Sequence, residues 1–290
     1  MARSAKPPFA GPNPARGSMA QSTLLHVIVD YAPSGMEHGE IYQKLHHFLD
    51  HPELVQTQFT SSPPLDTIAV GFVTAQYALA THSKKMVIYG NAAPRKDKHK
   101  AMKNNIDNGI KYARLKNGVE IINVYSESAF GFVKPEIVEF REIDCPNSGS
   151  QFRSRDFFPE RVAKLINGDH SFLGKKLNIK DIPNIPNNLV TWTDGFGNIK
   201  TSMRLSDLKK KGFKPGDKVQ VILNGVSMLG VVAIGGFTVE RGVLAVNIGS
   251  SGYEDPFIEL FLRVHHMSEK TAAVRFDYPP GGTELEIKKI

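Results

Sequence analysis

Leu24-Leu25-His26-Val27-Ile28-Val29-Asp30 decides the reading of the first half of the chain. The run is mostly apolar, reads as a buried strand and closes on a carboxylate. The turn Pro33-Ser34-Gly35 follows, and Ile41 to Leu49 reads as a helix with Ile41, Leu45, Phe48 and Leu49 on one face. Thr67 to Leu79 reads as a second helix, N-capped around Asp66. Met86-Val87-Ile88-Tyr89 is the next strand, stopped by Gly90-Asn91, and Val119 to Tyr125 is another. Arg155 to Ile166 reads as a third helix, ended near Gly168. Strands alternating with helices over residues 23–177 predict an α/β domain, three layers around a largely parallel sheet.

Pro183 and Pro186, among asparagines, mark a linker over 178–188. Beyond it the period changes. Leu189–Trp192, Val219–Leu223, Met228–Ala233, Leu244–Asn247 and Ala272–Phe276 are short β-type runs separated by Gly, Asn and Pro turns. Pro256–Arg263 is the one candidate for a longer helix. Residues 189–290 are therefore expected to form a small all-β barrel or sandwich.

At 290 residues, two domains are expected, and a 41% hydrophobic fraction suffices for a core in each. No apolar run approaches the ~20 residues of a membrane helix, so no membrane partner is expected. The single cysteine, Cys145, excludes an intrachain disulfide and a cysteine zinc cluster, and a cytoplasmic location fits. Residues 1–22 lack apolar periodicity and read as a disordered tail. Gly17-Ser18-Met19 could instead be a cloning remnant with Met19 the natural start, and four prolines argue against an organelle transit helix.

The formal charge of +7 is local: residues 84–116 hold ten Lys or Arg against Asp97 and Asp107. Lys96, Lys98, Lys100, Lys103, Lys111, Arg114 and Lys116 surround one aromatic, Tyr112, which is no base-stacking platform. The stretch reads as a solvated insertion or an oligomer contact, with phosphate or RNA binding as the other reading. The ten histidines show no metal spacing, since the adjacent pairs His46-His47 and His265-His266 point apart, and no metal site is expected.

Four segments carry candidate chemistry, and each has a plain alternative. Asp30 ends the first strand, at the edge where open α/β sheets bind ligands, and could accept both hydroxyls of a ribose; it could equally be a turn residue. Phe152-Arg153-Ser154-Arg155-Asp156 opens the third helix, as anion-binding backbone or as a simple N-cap. Asp194-Gly195-Phe196-Gly197-Asn198 places a carboxylate, an aromatic ring and an amide around two glycines, suited to an ammonium and a purine or to a hairpin turn. Gly249-Ser250-Ser251-Gly252-Tyr253 could cradle a carboxylate or be an ordinary turn.

In this order, the four segments resemble the S-adenosylmethionine hydrolase and fluorinase–chlorinase family. That family shows a first strand ending in Asp and a Phe-X-Gly/Ser-Arg-Asp/Glu helix start. An Asp-X-Phe-Gly-Asn-X-X-Thr block then opens a C-terminal barrel, and an Asn/Gly-Ser-Ser/Arg-Gly-Tyr loop follows. The similarity spans roughly residues 24–290 and includes Thr201. The resemblance implies that Asp30 holds the ribose diol and Asp194 the methionine ammonium. Phe196 and Asn198 would hold adenine, and Ser250 and Ser251 the methionine carboxylate. It also implies a homotrimer, its site between the first domain of one subunit and the barrel of the next. S-adenosylmethionine is substrate or ligand, with no further cofactor.

The chemical half of the family pattern departs. The positions that orient water in the hydrolases align with Ser61, Ile68 and Arg153. The family's Asp-Pro-Gly-Val-Gly becomes Tyr89-Gly90-Asn91-Ala92-Ala93, where tyrosine resembles the halogenases, as Ser154 does in place of glycine. A halogenase pocket threonine aligns with Ala92 and an adenosine-side tryptophan with Leu65. Tyr89, Arg153 and Ser154 are thus the candidates for the nucleophile pocket. The expected reaction is displacement of methionine at the ribose C5′ by water, giving adenosine and methionine. The alternatives are a halide-using adenosyl transferase and a binding protein without turnover.

Overall fold

A computed structural model describes residues 22–80, 85–93, 109–146, 148–249, 254–264 and 270–290. The leader up to Gln21 and the basic residues 94–108, with Lys96, Lys98, Lys100 and Lys103, lie outside the described residues. Among the described residues no helix is long and apolar enough to cross a membrane.

β1 (Thr23–Val29) lies between β2 (Val55–Ser61) and β3 (Lys85–Asn91), and β3 pairs with β5 (Glu120–Val124), all parallel. β4 (Ile110–Leu115), β6 (Ile137–Ile143) and β7 (Leu173–Lys176) continue the sheet antiparallel. Its order is β2-β1-β3-β5-β4-β6-β7. The sheet is parallel over four strands, which is less than the sequence predicts. The tight turn at Asn117-Gly118, with Gly118 at φ +86°, joins β4 to β5 as a hairpin, and a hairpin can pair only antiparallel.

Helices cover both faces. α1 (Met36–Phe48) and α5 (Phe158–Asn167) bury Ile41, Leu45, Phe158 and Val162 against Leu25, Val27 and Tyr89. α2 (Thr67–Leu79) and α3 (Glu127–Gly131) bury Val70, Phe72 and Phe130 against Ile28, Ile88 and Ile121 on the other face. Side chains of β1 therefore alternate between two cores, as the period-2 geometry of a strand requires.

The second sheet contains β8 (Val190–Thr193), β9 (Ile199–Arg204), β10 (Lys218–Leu223), β11 (Val226–Ala233), β12 (Leu244–Ile248), β13 (Phe257–Leu262) and β14 (Leu285–Lys289). Its order is β14-β10-β11-β12-β13-β9-β8. The two edges meet: Leu189 bridges Glu284, and Leu285 N–H donates to the Asn188 carbonyl at 2.7 Å. That contact closes the sheet as a barrel around Val219, Val221, Leu244, Val246 and Leu260. Phe257 reaches out of the barrel to Phe72 and Phe132, with ring centroids 5.0 and 5.9 Å away, so the two units share one apolar seam.

Several expectations are corrected. Pro256–Arg263 is not a helix: Phe257–Leu262 is strand β13, buried through most of its length. Ala272–Phe276 is not a strand. Thr271 accepts a hydrogen bond from Val274 N–H and caps the short helix α6 (Ala272–Arg275). The strand at Met86 runs through Gly90 to Asn91, because Gly90 leaves room for the buried Asn123 side chain beside it. The helix expected over Arg155 to Ile166 is broken at Phe157 into α4 (Arg153–Asp156) and α5, since Pro159 cannot continue a hydrogen-bonded helix. The last part of the basic stretch is strand β4, not an insertion. There, and in the turn just after, Lys111, Arg114 and Lys116 pair with Glu142, Glu139 and Glu136 at 3.7, 3.1 and 3.5 Å.

Candidate functional site

Asp30 directly follows β1, and the loops after β2 and β3 converge on it. Leu65 N–H and Ala93 N–H each donate to its Oδ2 at 3.1 Å. Leu65 holds φ +61°, in the left-handed region that a leucine rarely occupies. Asp30 is 8% exposed, and its Oδ1 has no protein donor among the described residues. One oxygen is anchored and the other is left to accept, which is the disposition a pair of hydroxyls needs.

A polar chain runs beside it. Asn91 Nδ2 donates to the Tyr31 hydroxyl at 3.1 Å, and that hydroxyl lies 2.7 Å from Ser154 Oγ. Burial pushes the Tyr31 phenol up, so it stays neutral at ordinary pH. Beneath them Tyr89 is fully buried, and its hydroxyl donates to the Ser154 carbonyl at 3.1 Å. Phe152 meets Tyr31 edge-on at 5.7 Å and carries the Arg155 guanidinium on its face at 4.7 Å. Arg153 sends Nη1 to the Ser150 carbonyl at 3.0 Å. Thus Asp30, Tyr89 and Ser154 belong to one neighbourhood, with Tyr89 as its floor and Arg153 at the start of α4.

Burial also pushes the Tyr89 phenol far above its ordinary value near 10. The folded state therefore favours the neutral form. That stabilisation is complete below about pH 10 and is lost as the pH rises toward the raised value. Tyr89→Phe is expected to cost about 1 kcal/mol at pH 8. Urea denaturation at pH 11 should show a smaller gap from the parent, because only the parent loses the stabilisation of its neutral phenol. A gap of constant size would contradict the burial argument.

The second group of candidates sits on the β8–β9 hairpin. Asp194 Oδ1 accepts from Phe196 N–H and Asn198 N–H at 2.9 and 3.0 Å. Its Oδ2 accepts from Asn198 Nδ2 at 3.0 Å and pairs with Lys200 Nζ at 3.2 Å. Gly197, at φ +75°, lets the turn close against Thr271. Phe196 projects outward, 71% exposed. Ser250 and Ser251 lie outside the described residues.

Asp194 and Lys200 line a cavity of about 250 Å³ between α2 and the barrel, walled by Phe72, Trp192 and Phe257. Asp30 is not among its lining residues, so within one chain the two carboxylates serve different places. At the polar end Glu259, 7% exposed, pairs with Lys200 and accepts from Asn247 Nδ2 at 3.0 Å.

This architecture has counterparts among solved structures. The two-domain fold is shared. An uncharacterized conserved protein from Thermotoga maritima superposes with a TM-score of 0.70 at 17% identity, covering 91% of this chain and 99% of that one. A conserved hypothetical protein from Thermus thermophilus gives 0.57 at 14% identity, with the same coverage of both chains. At these identities the likeness concerns the fold. No protein-family model and no curated protein matches the sequence.

Sequence reasoning missed Tyr31, Asn91, Lys200 and Glu259. Tyr31 was visible as the neighbour of Asp30. Glu259 was hidden because an acid among Phe257, Ile258, Leu260 and Phe261 looked like one polar face of a helix.

Proposed function

We propose that this protein binds S-adenosylmethionine and displaces methionine at the ribose C5′ with water, giving adenosine and methionine. The supporting observation is the Asp30 carboxylate, pinned through Oδ2 by two loop N–H groups with Oδ1 left to accept. It stands at the carboxyl edge of the parallel strands, beside a chain of neutral hydroxyls. In this reading Asp30 takes the ribose diol, and Ser154 Oγ with the Tyr31 hydroxyl orients the attacking water. The C–O bond forms as the C5′–S bond breaks. The electron pair leaves with methionine sulfur, and the water proton passes to solvent. The sulfonium is already a good leaving group, so alignment and partial exclusion of water carry the reaction.

The barrel of a neighbouring subunit in a homotrimer supplies the rest. Phe196 and Asn198 hold adenine, and the loop with Ser250 and Ser251 takes the methionine carboxylate. In the free chain Asp194 accepts three hydrogen bonds and is neutralised by Lys200 at 3.2 Å. It receives the methionine ammonium once Lys200 shifts wholly to Glu259.

Incubation of the pure protein with S-adenosylmethionine, followed by chromatography, tests the reading. Equimolar adenosine and methionine are expected, with no 5′-halo-adenosine when chloride, bromide or fluoride is added. No product above a boiled control would overturn hydrolysis. Calorimetric binding without product would leave a binding protein in its place.

A further inference from the structure

The cavity between α2 and the barrel has a composition that its structural role does not require. One side is apolar: Phe72, Trp192 and Phe257. The opposite end carries Asp194, Lys200 and Glu259, a formal charge of −1 held in a mostly buried corner. Its free volume of about 250 Å³ equals roughly eight waters at about 30 Å³ each, the scale of a small amino acid.

The hydrogen-bonding capacity left over in that corner is specific. Asp194 accepts three hydrogen bonds and faces Lys200 Nζ as an ion pair at 3.2 Å. Lys200 Nζ has three N–H groups and donates one of them to Glu259, with Asp194 beside it as an ion-pair partner. Glu259 accepts one bond on each oxygen, from Asn247 and Lys200, and keeps two lone pairs. The indole N–H of Trp192 and the amide of Gln76, both on the cavity wall, have no protein partner among the described residues. The cavity therefore offers unused acceptors on an acid and unused donors on a cation and an indole, next to an apolar wall. A ligand satisfying all three carries an ammonium, a carboxylate and an apolar substituent.

We propose that this cavity binds a free α-amino acid with an apolar side chain. Glu259 takes its ammonium, Lys200 and the Trp192 N–H take its carboxylate, and the side chain lies on Phe72 and Phe257. The cavity joins the two domains of one chain, so an occupant would fasten α2 to the barrel. The inference goes beyond the Asp30 site and does not use Asp30.

Titration calorimetry of the whole protein with L-leucine tests it, leucine being no product of the reaction proposed above. L-Leucine is expected to bind with Kd at or below ~1 mM. Isoamylamine, which lacks the carboxylate, and N-acetyl-L-leucine, which lacks the ammonium, should each bind at least about tenfold more weakly. Glu259→Gln and Lys200→Met should weaken leucine to a similar extent. Gln76→Trp, which narrows the cavity from α2 without touching the ion pairs, should do the same if the pair variants misfold. Asp30→Ala should leave leucine binding within about twofold, as expected of a cavity that Asp30 does not line. No binding of leucine, equal affinity for the two blocked compounds, or indifference to Glu259→Gln and Gln76→Trp would each overturn the proposal. Leucine binding in a protein that does not cleave S-adenosylmethionine would remove the earlier reading and leave this one standing.

Discussion

Phe257→Ala is expected to lower the stability of the chain by about 3–5 kcal/mol, as large-to-small changes of a buried aromatic do. Phe257 is 3% exposed and belongs to β13 of the barrel, yet it packs in the core of the α/β domain. Its ring touches Phe72 of α2 and Phe132, and the Arg204 guanidinium covers its face at 4.0 Å. Arg204 in turn donates to the carbonyls of Phe132 and Asp255 at 3.3 and 3.0 Å. Removing the ring opens a cavity at the seam and loosens this arginine at the same time. Urea denaturation should show the fall in stability and a split into two transitions, one per domain. A loss below about 1 kcal/mol with one cooperative transition would show that the seam does not couple the units.

Asp30→Ala is expected to weaken S-adenosylmethionine at least about 100-fold. Two hydrogen bonds from ribose hydroxyls to a carboxylate contribute about 1.5–3 kcal/mol each. The same change also strands the N–H groups of Leu65 and Ala93, which now share Oδ2. Asp30→Asn separates the two effects. Its amide oxygen can still satisfy both N–H groups, so the loop stays in place while the charge is lost. Calorimetry should place its affinity between the parent and Asp30→Ala. Equal affinity for all three proteins would remove Asp30 from the site.

Much of the three-layer half is legible because its strands and helices alternate with clean apolar periods. Thr67–Leu79 is visible to the residue, since Asp66 caps one end. β2 and β4 are not legible for a shared reason. Val55–Ser61 has only Val55 and Phe59 as apolar residues, and Lys111 and Arg114 interrupt Ile110–Leu115, so neither shows the apolar alternation that marks a strand. The lysines and arginines of β4 are balanced by glutamates distant in sequence, a pairing no local window contains. In the site, Asp30 is legible because a carboxylate ending a buried strand has a fixed place in an α/β sheet. What holds its Oδ2 is not, because Leu65 and Ala93 contribute backbone N–H groups, which leave no side-chain signature in the sequence. Asp194 is legible as a hairpin residue, but its partner Lys200 also pairs with Glu259, which comes from another strand.

Mixing two disabled variants tests the shared site most directly. Asp30→Ala damages the α/β side, and Asp194→Asn damages the barrel side while keeping its hairpin acceptor. Each alone should form little adenosine from S-adenosylmethionine. After unfolding and refolding together, random trimers should regain about a quarter of the parent activity, because a quarter of the seams combine two intact halves. A mixture no more active than either variant would contradict a site built from one subunit's Asp30 and its neighbour's barrel.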